Sequence, residues 1–190
     1  VVPCAYWFPG IIWAGKQNGI PTADVQDSLI TPSHPVYGFA DRKHYTADKL
    51  YVWSDFWKRP ELPNPCVEVL HEDPLLARRA RTRQGERYDL VIASQPRIGQ
   101  VLTRWLLAAA TAHPEWRIAF ALHPDEDVAS YPAYAAIRAL PNVEIARHST
   151  LDLMAQGRAC AGAYSTSLYE AAFLGKRVFV LPVAGHEIVA

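Results

Sequence analysis

No surplus of either charge is found in this 190-residue chain, where nineteen Lys and Arg balance nineteen Asp and Glu. A large nucleic-acid footprint needs a basic excess, so the balance argues against that function class. Cysteine is scarce. Cys4, Cys66 and Cys160 are odd in number and far apart, which gives neither a disulfide framework nor a zinc spacing and points to a reducing compartment. No run reaches the roughly twenty apolar residues that span a bilayer. The histidines His44, His71, His113, His148 and His186 fall in no metal-binding pattern of the His-Glu-x-x-His kind. Hairpin signals, internal repeats and low-complexity tracts are also missing. The opening Val1-Val2-Pro3 has neither an initiator Met nor the basic start of a signal peptide. Together with the abrupt end at Glu187-Ile188-Val189-Ala190, this reads as the central fragment of a longer protein.

What is present is apolar sequence in short, punctuated runs. Half the residues are apolar, enough for one globular domain or two small ones. A buried helix is expected from about Tyr6 to Asn18, stopped by Gly19, then a short strand over Thr22 to Gln26. Asp27 to Asp48 reads as a long aromatic loop holding His34, Tyr37 and His44. Strands follow at Leu50–Trp53 and Cys66–Leu70, with a helical turn around Phe56 and Trp57 between them. The basic run Leu75 to Arg81 lacks an apolar continuation and marks a domain junction. This divides the chain into a first domain over 1–75, a linker over 76–87 and a second domain over 88–190. In the second domain Tyr88–Ala93, Trp116–Leu122 and Val143–Ile145 are expected strands. They alternate with helices over about Val101–Ala112, Tyr134–Leu140 and Leu151–Gln156. Such alternation means an α/β fold with a parallel sheet covered on both faces.

The most informative stretch is Ser165-Thr166-Ser167-Leu168-Tyr169-Glu170. It sits between the apolar Ala161-Gly162-Ala163-Tyr164 and Val178-Phe179-Val180-Leu181-Pro182. The order is strand, hydroxyl-rich turn, helix, glycine stop, strand. Two readings of it stand. Ser167 and Glu170 have the spacing of a capping box. Equally, backbone N–H groups and the helix dipole at that turn favour an anion such as phosphate. Ligands in parallel sheets gather beyond the carboxyl ends of the strands. Two more polar turns fall at that edge, Ser94-Gln95-Pro96-Arg97 and His123-Pro124-Asp125-Glu126. A histidine there can donate to a phosphate or stabilise a departing one as the cation. A helix or turn cap at His123, and an ordinary exposed turn at Gln95 and Arg97, are the plain alternatives. Trp53, Trp57, Trp105 and Trp116 are expected in the core rather than as sugar platforms.

On these residues the stretch from about Tyr88 to Glu187 resembles the nucleotide-sugar domain of GT-B glycosyltransferases, and most closely the bacterial sialyltransferases and the related Kdo transferases of capsule and lipopolysaccharide synthesis. His123-Pro124 is similar to the sialyltransferase His-Pro motif, Ser165-Thr166 to its hydroxyl pair, and Gln95-Pro96 to a Gln-Pro motif of the Kdo transferases. The resemblance implies that His123, Ser165, Thr166 and Ser167 hold the donor phosphate, that Asp152 holds the ribose, and that Gln95, Arg97 and Glu170 line the donor site. The first domain resembles the second half of the acceptor domain, incomplete here. Its strand ending Gln26-Asp27-Ser28 places Asp27 where the family carries its general base, although the glycine and second acid of that motif are missing. Asp27 fits a turn cap as well.

The resemblance therefore implies two Rossmann-like domains of GT-B type facing one cleft. The expected activity is metal-independent transfer of a sugar, preferably a CMP-activated acidic sugar, to a surface glycan, with no cofactor. Implied partners are a nucleotide-sugar donor and a glycan acceptor, in the cytoplasm with room for peripheral attachment at the inner membrane. UDP-GlcNAc epimerases and glycerophosphate transferases share the architecture and stand as alternatives, as does a non-catalytic scaffold domain.

Overall fold

Short apolar runs become parallel strands in the computed structural model, which describes residues 2–3, 8–26, 28–31, 37, 45–59, 62–70, 85–127, 129, 132–147 and 149–186. The chain folds as two units, Val1–Asp73 and Pro74–Ala190. Each carries one parallel sheet, so the fold class is α/β with two Rossmann-like sheets. No described helix is long and apolar enough to cross a membrane.

The first unit has strands β1 (Val2–Pro3), β2 (Ala23–Val25), β3 (Lys49–Val52) and β4 (Cys66–Val69), in the spatial order β1-β2-β3-β4. The two-residue β1 was not legible in the sequence; it pairs Val2 with Asp24 and Pro3 with Val25. Helix α1 (Pro9–Gln17) crosses from β1 to β2. Pro9 was expected inside this helix and instead opens it, where a missing N–H costs nothing. Gly19 at φ 64° turns the chain out of the helix. At the entrances of β2 and β3 the Asp48 carboxylate accepts from the Thr22 amide at 2.9 Å and the Thr22 hydroxyl at 2.8 Å. Lys16 lies 3.5 Å away. Between β3 and β4 a 3-10 turn (Asp55–Trp57) buries Trp57, whose ring meets those of Trp53 and Phe56 edge-on.

The second unit has β5 (Tyr88–Ala93), β6 (Ile118–Ala121), β7 (Val143–Ala146), β8 (Gly157–Gly162) and β9 (Arg177–Val180). Their spatial order is β7-β6-β5-β8-β9. Helix α2 (Gly99–Ala112) and helix α3 (Pro132–Arg138) cover one face. Leu102, Leu106 and Ala110, spaced four apart, form the inward stripe of α2 and pack with Ile92, Phe120, Tyr134 and Ile137. Helix α4 (Thr150–Ala155) and helix α5 (Ser167–Phe173) cover the other face, where Leu153, Met154, Leu168 and Ala171 meet Val91, Ala93, Ala119 and Cys160. Burying each large apolar side chain here contributes about 1.5–3 kcal/mol. Helix α2 begins two residues before the expected Val101, and β8 begins at Gly157, well before the expected Ala161. Gly157-Arg158-Ala159-Cys160 has little strand propensity of its own; pairing with β5 from Tyr88 opposite Gly157 makes it a strand. Trp105 contradicts the expectation of burial and is 42% exposed, since it lies off the Leu102–Leu106–Ala110 stripe.

Candidate functional site

Numbered within its own sheet, the second unit has strand order 3-2-1-4-5, and the order reverses between β5 and β8. Crossovers leave those two strands toward opposite faces, which opens a crevice above their carboxyl ends. The turn after β5 and the turn after β8 meet there: the Gln95 side-chain carbonyl accepts the Tyr164 amide at 3.4 Å. Behind Tyr164 stands the turn that follows β9. A side chain at Gly185, where φ is 95°, would sit 3.3 Å from the Tyr164 ring. The turns after β5, β8 and β9 are thus packed in series.

The hydroxyl-rich turn departs from the capping-box reading. Ser167 is the first residue of α5 rather than its cap, and the Thr166 cap position makes no side-chain cap bond. Ser165 does the local work instead. Its hydroxyl lies 2.7 Å from the Ser167 hydroxyl and accepts the Ser167 amide at 3.3 Å. The two hydroxyls form a pair in which only one proton is used between them, so the other remains to be offered elsewhere. Ser167 is buried, while Ser165 and Thr166 are half-buried. Glu170 stands in the first turn of α5.

His123 stands at the end of β6 with its side chain 41% exposed. Its Nδ1 accepts the Asp125 amide at 3.2 Å. The Asp125 carboxylate lies 3.6 Å from the same nitrogen, so Nδ1 is engaged within its own turn and Nε2 is the ring nitrogen left to donate. Pro124 is exposed beside it.

Gln95 and Pro96 are half-buried, and Arg97 is exposed in the turn that leads to α2. Asp152 lies in the first turn of α4, where the Ser149 hydroxyl accepts its amide at 3.5 Å. That turn follows β7 at the same sheet edge, and α4 packs beside α5. Asp27 lies outside the described residues, as do His34, His44, His71 and Glu187. Its neighbour Gln26 is buried and ties two strand ends together, accepting the Trp53 amide at 3.0 Å and donating to the Ser28 carbonyl at 3.0 Å. Tyr37 packs inside the first unit with its hydroxyl on the buried Asp24 carboxylate.

One residue was passed over in the sequence except as part of a turn. Glu126 is 2% exposed. One carboxylate oxygen accepts the hydroxyls of Ser94, at 2.8 Å, and Tyr134. The other accepts the His123 amide at 2.9 Å. The signal available was a serine closing β5 and an acid in the turn after β6, both directed to one rim. A concavity of about 540 Å³ lies elsewhere, at the amino ends of the strands, lined by Asp89, Trp116, Arg158, Arg177 and Phe179 among others. The carboxyl rim is the chemically equipped edge, because the turns that carry Gln95, His123, Asp152 and Ser165 all lie there.

No protein-family model and no curated protein matches the chain. Solved structures do. The chain is similar to the UDP-GlcNAc 2-epimerase of Neisseria meningitidis bound to UDP-GlcNAc, with a TM-score of 0.63 and 16% identity over 95% of this chain and 58% of that one. It is also similar to the UDP-GlcNAc 2-epimerase of Methanocaldococcus jannaschii, with a TM-score of 0.53 and 11% identity over 91% of this chain and 57% of that one. The chain therefore spans somewhat under two thirds of the length of either. At such identities the likeness is one of fold, and it singles out neither sialyltransferases nor Kdo transferases.

Proposed function

We propose that this chain is the nucleotide-sugar-holding part of an enzyme acting on a uridine-diphosphate sugar, with the diphosphate seated on the carboxyl rim above β5 and β8. The observation that carries this reading is the meeting of Gln95 with the Tyr164–Ser167 turn at the reversal of strand order. The similar fold of an epimerase bound to UDP-GlcNAc supports the choice of uridine over cytidine.

In this reading the Nε2–H of His123 and the hydroxyls of Ser165, Thr166 and Ser167 donate to phosphate oxygens. Arg97 adds a positive charge at the mouth, and Pro96 and Pro124 stiffen the two turns. Asp152 and Glu170 accept from the ribose hydroxyls. Donors held in place before the ligand arrives favour charge that grows on the leaving diphosphate when the sugar bond weakens. Elimination and transfer both begin with that step, so one rim serves either an epimerase or a transferase.

The second reading is a glycosyltransferase that uses a CMP-activated acidic sugar, with Asp27 taking the acceptor proton. It rests on the likeness of His123-Pro124 and Ser165-Thr166 to the sialyltransferase motifs. A calorimetric panel of UDP, CMP and CDP separates the cases. Preferential binding of UDP is expected. Preference for CMP would favour the transferase, preference for CDP a glycerophosphate transferase, and binding of none would overturn the proposal.

A further inference from the structure

The Glu126 carboxylate joins elements that the chain otherwise holds apart. Ser94 directly follows β5, His123 lies two residues past β6, and Tyr134 belongs to α3. All three donate to it, and Ser94, Tyr134 and Glu126 itself are each at most 4% exposed. A fourth element is tied to the same residue, because Arg147, just past β7, donates to the Glu126 backbone carbonyl at 3.1 Å. The start of α2 closes over the group. A Cβ placed on Gly99 would lie 2.5 Å from the Glu126 carboxylate and 2.3 Å from the Tyr134 hydroxyl.

The turn that Glu126 closes is the one that seats His123. The Glu126 amide donates to the His123 carbonyl at 3.0 Å, and the Asp125 amide between them holds the imidazole at Nδ1. The ring's Nε2 has no hydrogen bond to a described residue. We propose that Glu126 is a positioning residue, which fixes the turn after β6 against the end of β5 and so sets where His123 offers its Nε2–H to a ligand. A carboxylate suits the task because all three partners are donors and it accepts at both oxygens. The consequence for nucleotide affinity rests on the function proposed above; the seating of the ring does not.

Two measurements on the same variants keep those levels apart. The first needs no nucleotide: amide hydrogen exchange at Asp125, whose N–H is held by the His123 ring. Glu126→Ala is expected to speed this exchange at least tenfold, approaching the rate in His123→Ala, while Ile92 and Phe120 in the sheet keep their protection. Glu126→Gln is expected to restore most of it. The amide oxygen takes the His123 N–H, and the Ser94 and Tyr134 hydroxyls rotate to accept from the NH₂. Should Glu126→Ala unfold, Ser94→Ala cuts the link to β5 alone and is expected to give a smaller increase of the same sign. Asp125 exchange unchanged in the folded variants would overturn the proposal.

The second measurement is UDP affinity. Glu126→Ala is expected to weaken it about tenfold, the equivalent of one ligand hydrogen bond, and to have no further effect in the His123→Ala background. Equal losses in both backgrounds would mean that Glu126 does not act through His123, and would overturn the proposal too. If the wild-type chain binds no UDP, it is the proposed function that fails, and Asp125 exchange alone decides the role of Glu126.

Discussion

Gly99→Ala adds one methyl group at the most crowded point of the second unit. The new Cβ would lie 2.3 Å from the Tyr134 hydroxyl and 2.5 Å from the Glu126 carboxylate. Both are side-chain ends, but both are buried and bonded to each other, so neither can swing away without giving up a partner. Overpacking of this kind costs about 1–3 kcal/mol. Separating the buried hydroxyl from the carboxylate costs about 1–3 kcal/mol more. Replacing a glycine at a helix start returns at most about 1 kcal/mol. The net expectation is a loss of about 1–6 kcal/mol. Urea unfolding followed at the Ile92 and Phe120 amides reports on the second unit alone, and its midpoint should fall by about 0.5–3 M for a slope near 2 kcal/mol/M. Tyr134→Phe removes the nearest obstructing atom, so Gly99→Ala should cost at least about 1 kcal/mol less in that background. A midpoint unchanged by Gly99→Ala, or the same cost in both backgrounds, would refute the reasoning.

Two other expectations concern titratable groups. Burial raises the Cys160 thiol to about 12, so native protein should resist alkylation there while the half-buried Cys66 reacts; peptide mapping after iodoacetamide checks this, and early labelling of Cys160 would contradict it. Its neutral form is the one the fold favours, so its contribution is intact below the unfolded thiol value of about 8.5 and fades as pH rises toward 12. The Thr22 amide holds the Asp48 carboxyl below its ordinary value, against an opposing effect of burial, with the Thr22 hydroxyl and Lys16 assisting. That stabilisation is present above the unfolded value of about 3.9 and is lost as pH falls through the lower folded one. Because Asp48 is half exposed, Asp48→Asn should cost only about 0.5–1 kcal/mol at pH 7, and the difference between variant and wild type should vanish in acid.

The parallel architecture was legible because each strand of the second unit is a short apolar run bounded by turn residues, and Leu102, Leu106 and Ala110 announce their helix by spacing. β8 was read short at its start, because glycine and alanine carry no strand preference and a strand already in place must recruit them. Pro9 was misjudged for a related reason: the same residue breaks a helix interior and starts a helix, and local sequence does not say which. The rim turns were visible as polar residues after strands, yet their roles were not. Ser167 has the spacing of a cap and does not act as one, since it already lies inside the helix and the Glu170 amide goes to the Thr166 carbonyl at 3.3 Å. Glu126 was hidden because its three donors are distributed over residues 94 to 134, and only the sheet order brings them together. The donor nucleotide was read from dipeptides that resemble sialyltransferase motifs, whereas the similar folds belong to UDP-GlcNAc epimerases. Two dipeptides match a family pattern for holding phosphate, and such a pattern carries no information about the base attached to it.

The central claim is that a uridine nucleotide sits on the carboxyl rim of the second sheet. Titrating UDP into ¹⁵N-labelled chain and mapping the amide shifts tests it most directly. The account predicts saturable shifts at Gln95, His123, Asp125 and Tyr164 through Ser167. Shifts confined to Asp89, Arg158 and Arg177, at the cavity on the amino edge, would contradict it, as would a spectrum that UDP leaves unchanged.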